Sequence, residues 1–284
     1  MTIARTVRAT TAAALLALAA ACAQNSGGTA PEAADQPDPS DVALRVEYTG
    51  GFLTPAMIAG RMPIVTVYGD GRVVSQGPQI AIYPGPALPN VEVRQIDAAT
   101  VTQLIDKAVA AGVGKTADFG QPGVADAPTT RFTALTAAGH VTTEVYALVE
   151  AGDSTGLTEQ QTAARTKFRD LYTELTGLPD KSGTAKPYEP TALAAYATPW
   201  VAPDAALGNQ PEVAWPGSEL PGASLGQQLN LGCVTVTGDG VQKVLAAAAK
   251  ANSATPWTSA GKRWNVIFRP LLPDESDCAK VATR

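Results

Sequence analysis

The chain has 284 residues, 45% hydrophobic and 17% charged, with 26 acidic against 21 basic side chains, one histidine and three cysteines. That length supports one large or two small cores, and the acidic balance lacks the basic footprint that nucleic acid or anionic headgroups require. One histidine and three thiols are too few for a zinc or copper site of the usual ligand types, so neither a metal nor another cofactor is expected.

Residues 1–11 carry Arg5 and Arg8 and no acid, and Ala12 to Ala21 form an apolar run too short to span a bilayer. This pattern reads as an export signal over residues 1–21. Leu18-Ala19-Ala20-Ala21 directly before Cys22 resembles the lipobox of exported lipoproteins, here of an actinobacterial type, with Ala19 where leucine is usual. The resemblance implies cleavage before Cys22 and a diacylglycerol thioether on it. An ordinary secretory signal cut after Ala21 is the alternative. Cleavage removes two arginines and no acid, so 21 less 2 leaves 19 basic against 26 acidic side chains, a balance near −7. Residues 22–41 hold no aromatic and almost nothing apolar to offset ordering entropy by burial, so they are expected to be a lipidated cysteine and a flexible tether. Membrane attachment would then rest on the lipid alone, each buried methylene contributing about 0.8 kcal/mol.

Residues 42–178 read as an α+β lobe. Val42, Leu44, Val46 and Tyr48 alternate with polar or small residues as in a half-buried strand. Two β-rich runs flank Asp70-Gly71, a pair suited to a type I′ hairpin turn. A helix follows Asp97, with Val101, Leu104, Ile105, Ala108 and Val109 at helical spacing and Gly112 as its stop. A hairpin turning at Ala138-Gly139 and a second helix over 158–176 complete the lobe, so that two helices cover one face of an antiparallel sheet.

Residues 179–230 are rich in proline, glycine and alanine and read as a connector, anchored through Trp200 and Trp215, with "ALAAYATPW" its one strand-like stretch. Residues 231–284 read as a β-α-β lobe: Val234 and Val236 in a strand, Asp239 as a helix cap, Val241, Val244, Leu245 and Ala248 on a helix face, and "RWNVIFRPLL" as the second strand. Cys233 and Cys278 sit beside predicted turns and are expected to pair, stapling the tail to this lobe. Trp257, Trp264 and Arg269 are either core of that lobe or a recognition patch.

Little suggests catalysis. His140 follows a hairpin turn, where a solvated role is expected. Gly112 to Thr116 imitate the end of a phosphate loop but follow a helix, and Val109 replaces the first glycine. Asp118-Phe119-Gly120 stands without other kinase elements, and Ser259 with Lys262 lacks the partner motifs of penicillin-binding enzymes. Asp118, Asp126, Asp274, Glu275 and Asp277 show no calcium-loop spacing and read as solvated surface.

The stretch "VEYTGGF", residues 46–52, followed by strands, a helix, a strand pair ending in "HVTTEVYAL" and a last helix, resembles the layout of emfourin-type inhibitors of thermolysin-like metalloproteases over residues 42–178. That resemblance implies an inhibitory loop near Gly50 to Phe52. The expected function is a lipid-anchored, extracytoplasmic, non-enzymatic protein binding a protein or small molecule at the cell envelope. A protease-inhibitor-like module and a carboxylate-dependent hydrolase are the alternatives.

Overall fold

A computed structural model describes residues 38–151 and 156–283, so Cys22, the signal and most of the tether lie outside the described residues. The first sheet has seven strands. They are β1 (Val42–Gly50), β2 (Val65–Tyr68), β3 (Arg72–Gln76), β4 (Val91–Gln95), β5 (Pro128–Thr136), β6 (Gly139–Tyr146) and β7 (Lys186–Pro187), in the antiparallel order β6-β5-β1-β2-β3-β4-β7. Between β2 and β3 only Gly71 has positive φ, +84°, and its N–H bonds to Tyr68 O at 2.9 Å. The turn is therefore not type I′, which needs two positive φ angles. Asp70 instead accepts from the Arg72 N–H at 3.0 Å and the Arg72 side chain at 2.6 Å. The glycine is required here, because a Cβ would lie 2.2 Å from Ile96 O.

The helices are α1 (Pro55–Ala59), α2 (Ala98–Ala111), α3 (Glu159–Thr176) and α4 (Leu178–Lys181). Asp97 caps α2 by accepting from the Thr100 N–H, and Gly112 closes it at φ +110°. Thr158 and Gln161 form a reciprocal capping box at the start of α3. Val101, Leu104 and Ala108 of α2 and Phe168, Leu171 and Leu175 of α3 pack with Leu44, Val46, Val67, Val73, Phe132 and Val145. Burying each of the larger side chains contributes about 1.5–3 kcal/mol.

The second sheet takes the order β10-β11-β8-β13-β12-β9 from β8 (Ala192–Pro199), β9 (Val213–Ala214), β10 (Ala223–Ser224), β11 (Gly232–Thr237), β12 (Trp257–Ser259) and β13 (Lys262–Pro270). Helix α5 (Asp239–Ala248) joins β11 to the β12–β13 hairpin, giving the β-α-β unit. Strand β8 lies between β11 and β13, antiparallel to both, so the region that reads as a connector supplies the middle of this sheet. Gly238, at φ +57°, precedes α5 and Asp239 is its first residue rather than its cap, placed where a carboxylate favours the helix dipole.

Trp215, Trp257 and Phe268 stack beneath α5, with the Trp215–Trp257 centroids 5.8 Å apart at 84°. Trp257 and Trp264 are both buried, so they are core and form no recognition patch. Helices α1 and α6 (Cys278–Ala282) cover the other face of this sheet, with Ala56, Ala59, Tyr196, Leu271 and the Cys233–Cys278 disulfide between them. Both sheets belong to one compact unit. They interlock, since α1 leaves the first sheet to pack on the second while Leu272 from the tail packs with Val42, Tyr68 and Val74 of the first.

Candidate functional site

Three regions of side chains stand out, and only one of them is apolar and exposed. The first is the polar seam that joins the sheets. Residues Val42 to Val46 of β1 are buried without alternation, because the face opposite the helices meets the C-terminal tail. Arg45, on that face, donates through Nη1 and Nη2 to Asp274 at 3.0 and 2.8 Å, and through Nε to Thr66 at 3.0 Å. Tyr68 donates its hydroxyl to the same carboxylate at 2.7 Å. Burial pulls the Arg45 guanidinium toward neutrality, but the bonds and charge of Asp274 reverse this and hold it above its ordinary value. Burial, then the Asp274 charge, also pushes the Tyr68 hydroxyl up.

Arg269 is buried and donates to Glu275 at 2.7 Å, while Glu275 also accepts from the Leu272 N–H at 2.9 Å. Glu275 is therefore a buried ion-pair partner and not solvated surface, Asp274 is an exposed residue whose carboxylate is nonetheless held in an ion pair, and Arg269 is part of the seam and not of an exposed patch. Sequence spacing held no sign of this, because Arg45 and Asp274 are 229 residues apart. Asp118 and Asp126 are exposed as expected, while Asp277, half-buried, caps α6 by accepting from the Lys280 N–H.

The second region is an open polar groove of about 430 Å³ beside the seam. Alternate residues of three neighbouring strands line it: Arg45 and Glu47 of β1, Arg131 and Thr133 of β5, and His140, Thr142 and Glu144 of β6. Arg131 lies 2.7 Å from Glu144 and 3.7 Å from Glu47. Glu47, Glu144 and Asp274 thus each face a guanidinium. The His140 ring Nε2 lies 2.9 Å from Val42 O, which ties the histidine to its own sheet. Gly112 to Thr116 form the exit from α2, and Ser259 accepts from the Leu220 N–H at 3.1 Å.

The third region is the end of the first sheet from which β1 and β3 run out. Val46, Val65, Ser75 and Glu92 share one row across the strands, and beyond it β1 continues into Gly50-Gly51-Phe52 while β3 continues into residues 77–90. Phe52 is 84% exposed, Tyr83 77%, and Ile80 and Ile82 60% each, with Leu53 and Met57 also exposed. The two apolar tips leave the sheet two strands apart, a spacing of about 10 Å.

Both tips are braced. Phe52 N–H bonds to Asp126 O at 3.2 Å, and Arg61 Nη1 donates to Gly50 O at 3.1 Å. In the second tip the Asn90 side chain donates to Pro78 O at 3.0 Å, Ser253 N–H bonds to Gly85 O at 2.8 Å, and Pro86 bridges to Asn252. The prolines at 78, 84, 86 and 89 explain why so apolar a stretch does not join a sheet, since proline removes ladder donors. That proline spacing around Ile80, Ile82 and Tyr83 was the available sequence signal for an exposed tip. In comparisons with known proteins, no family model matches this chain, and neither a curated protein nor a solved structure matches it.

Proposed function

We propose that this chain is a lipid-anchored, extracytoplasmic interaction protein of the cell envelope, held by a diacylglycerol on Cys22 and acting by binding rather than by catalysis. The observation that carries the reading is the exposed apolar end of the first sheet, where Phe52, Ile80, Ile82 and Tyr83 stand in solvent on braced loops. Large apolar side chains held outward by polar bracing are the usual mark of a protein-binding surface, and aromatic side chains favour its centre. The chain enters β1 at the opposite end of the sheet, where Gly69 N–H bonds to Asp41 O, so a tether there leaves the apolar end unobstructed.

A photoreactive amino acid at position 52 or 83, activated in intact cells, is expected to give one discrete adduct that is absent when the label sits at exposed Thr102 on α2. Equal labelling from all three positions would sink the reading. A protease-inhibitor-like module is the second reading, favoured by the bracing of Phe52 at the tip after Gly50-Gly51. It requires stoichiometric slowing of thermolysin that Phe52→Ala abolishes, and unimpeded proteolysis would remove it.

A further inference from the structure

Sheet edges expose unpaired N–H and C=O groups, and proteins guard them with very short strands, lysine, proline or bulges. Among the described residues the two sheets have four edges. Three are held by two-residue strands: β7, which is Lys186-Pro187, β9 and β10. The fourth is β6, eight residues long, with no proline, no lysine and an unbroken register against β5 from Thr129↔Tyr146 to Thr136↔Gly139.

The direction of its backbone groups follows from one bond. Ala147 N–H bonds to Pro128 O at 2.9 Å, which makes that facing pair a hydrogen-bonded one. Pairs alternate along an antiparallel ladder, so Val145, Thr143 and Val141 bond inward to β5, while His140, Thr142 and Glu144 turn their N–H and C=O groups outward. All three are exposed, and among the described residues no backbone bond reaches them from another segment. At the Tyr146 end the outward carbonyl accepts from Arg165 Nη2 at 3.0 Å, so the open stretch is 140–144.

We propose that this edge pairs with the same edge of a second copy of the chain, antiparallel and about a two-fold axis through Thr142, joining the first sheets of two protomers. Outward residues must face outward residues, and the register that pairs all three sets Thr142 against Thr142 of the other copy and His140 against its Glu144, repeated by symmetry. The sequence is self-complementary in that register. Each imidazole faces a carboxylate, the β-branched threonines meet at the axis, and Val141 faces Thr143 on the other side of the strand. Glu144 meets Arg131 through Oε1 and His140 meets Val42 O through Nε2, which leaves the Glu144 Oε2 and the His140 Nδ1 for the contact across the axis. His140, Thr142 and Glu144 also form the outer wall of the polar groove, so the second copy extends that groove across the axis. This pairing does not depend on the apolar end or on its ligand.

Oxidation of full-length Thr142→Cys in the membranes of expressing cells is expected to give a disulfide-linked dimer on a non-reducing gel, with Thr102→Cys and the wild type as controls. Sedimentation of the detergent-extracted full chain should show a dimer that Thr142→Pro reduces to the protomer mass. The N–H that this proline removes bonds nothing within the protomer, and circular dichroism checks that the variant, whose φ is also fixed there, is folded. Crosslinking of Thr142→Cys no stronger than that of Thr102→Cys, a wild-type chain that stays a protomer at the highest concentration reached, or a heavier adduct to another protein alone would overturn the proposal.

Discussion

Arg45 couples the sheets closely, because its guanidinium is almost out of reach of solvent, at 5% exposure, and the carboxylate bonded to it is that of Asp274, 2.8 Å away. Removing that partner leaves a buried charge uncompensated, which costs about 3–5 kcal/mol. Asp274→Ala is therefore expected to lower unfolding free energy by that amount in urea titration, whereas the exposed Asp118→Ala should change it little. The tyrosines set the alkaline limit. Burial first pushes the Tyr188 and Tyr196 hydroxyls up to about 12, with carboxylates of the tail adding to it and, at Tyr196, Arg269 opposing it, and Tyr68 is raised as well. A group whose folded pKa lies above its unfolded value, near 10 for tyrosine, stabilises fully below the unfolded value and progressively less as pH rises through the folded one. Urea unfolding is thus expected to show stability falling between pH 10 and about 12, with a shallower fall for Tyr196→Phe.

At the scale of elements, the disulfide holds α6 against β11, and α6 with α1 seals the second sheet. Breaking it with Cys233→Ala and Cys278→Ala should cost roughly 4 kcal/mol in the chain-entropy view. Hydrogen exchange should quicken first in residues 278–282 and 55–59. The elements that declared themselves in sequence have local causes: Asp97 and Gly112 bracket α2, Thr158 opens α3, and the two cysteines of the C-terminal lobe pair as expected. Strand β8 showed only as the one strand-like stretch of its region, and its place in the middle of a sheet did not show, because Leu193 to Ala197 are buried on both faces, between α5 on one side and α1 and α6 on the other, and a strand covered twice shows no alternation. The Arg45–Asp274 and Arg269–Glu275 pairs were illegible for another reason. A carboxylate in a loop looks solvated until the fold brings a guanidinium from a distant strand, and short-range spacing carries no trace of that meeting.

For the whole molecule, two interlocked sheets form a stiff body with its chain entry and its apolar tips at opposite ends of the first sheet. Such a body is suited to being held at one end and binding at the other, as the proposed anchor at Cys22 requires. The tips, the groove and the open β6 edge all work at the outer face of a membrane only if that cysteine is lipidated. Intact mass of the membrane-extracted chain is the direct measurement. A chain beginning at Cys22 and carrying diacylglycerol mass, lost in Cys22→Ala together with membrane association, is the result expected, and an unmodified sulfhydryl at the mature N-terminus, or protein found wholly in the medium, would contradict it.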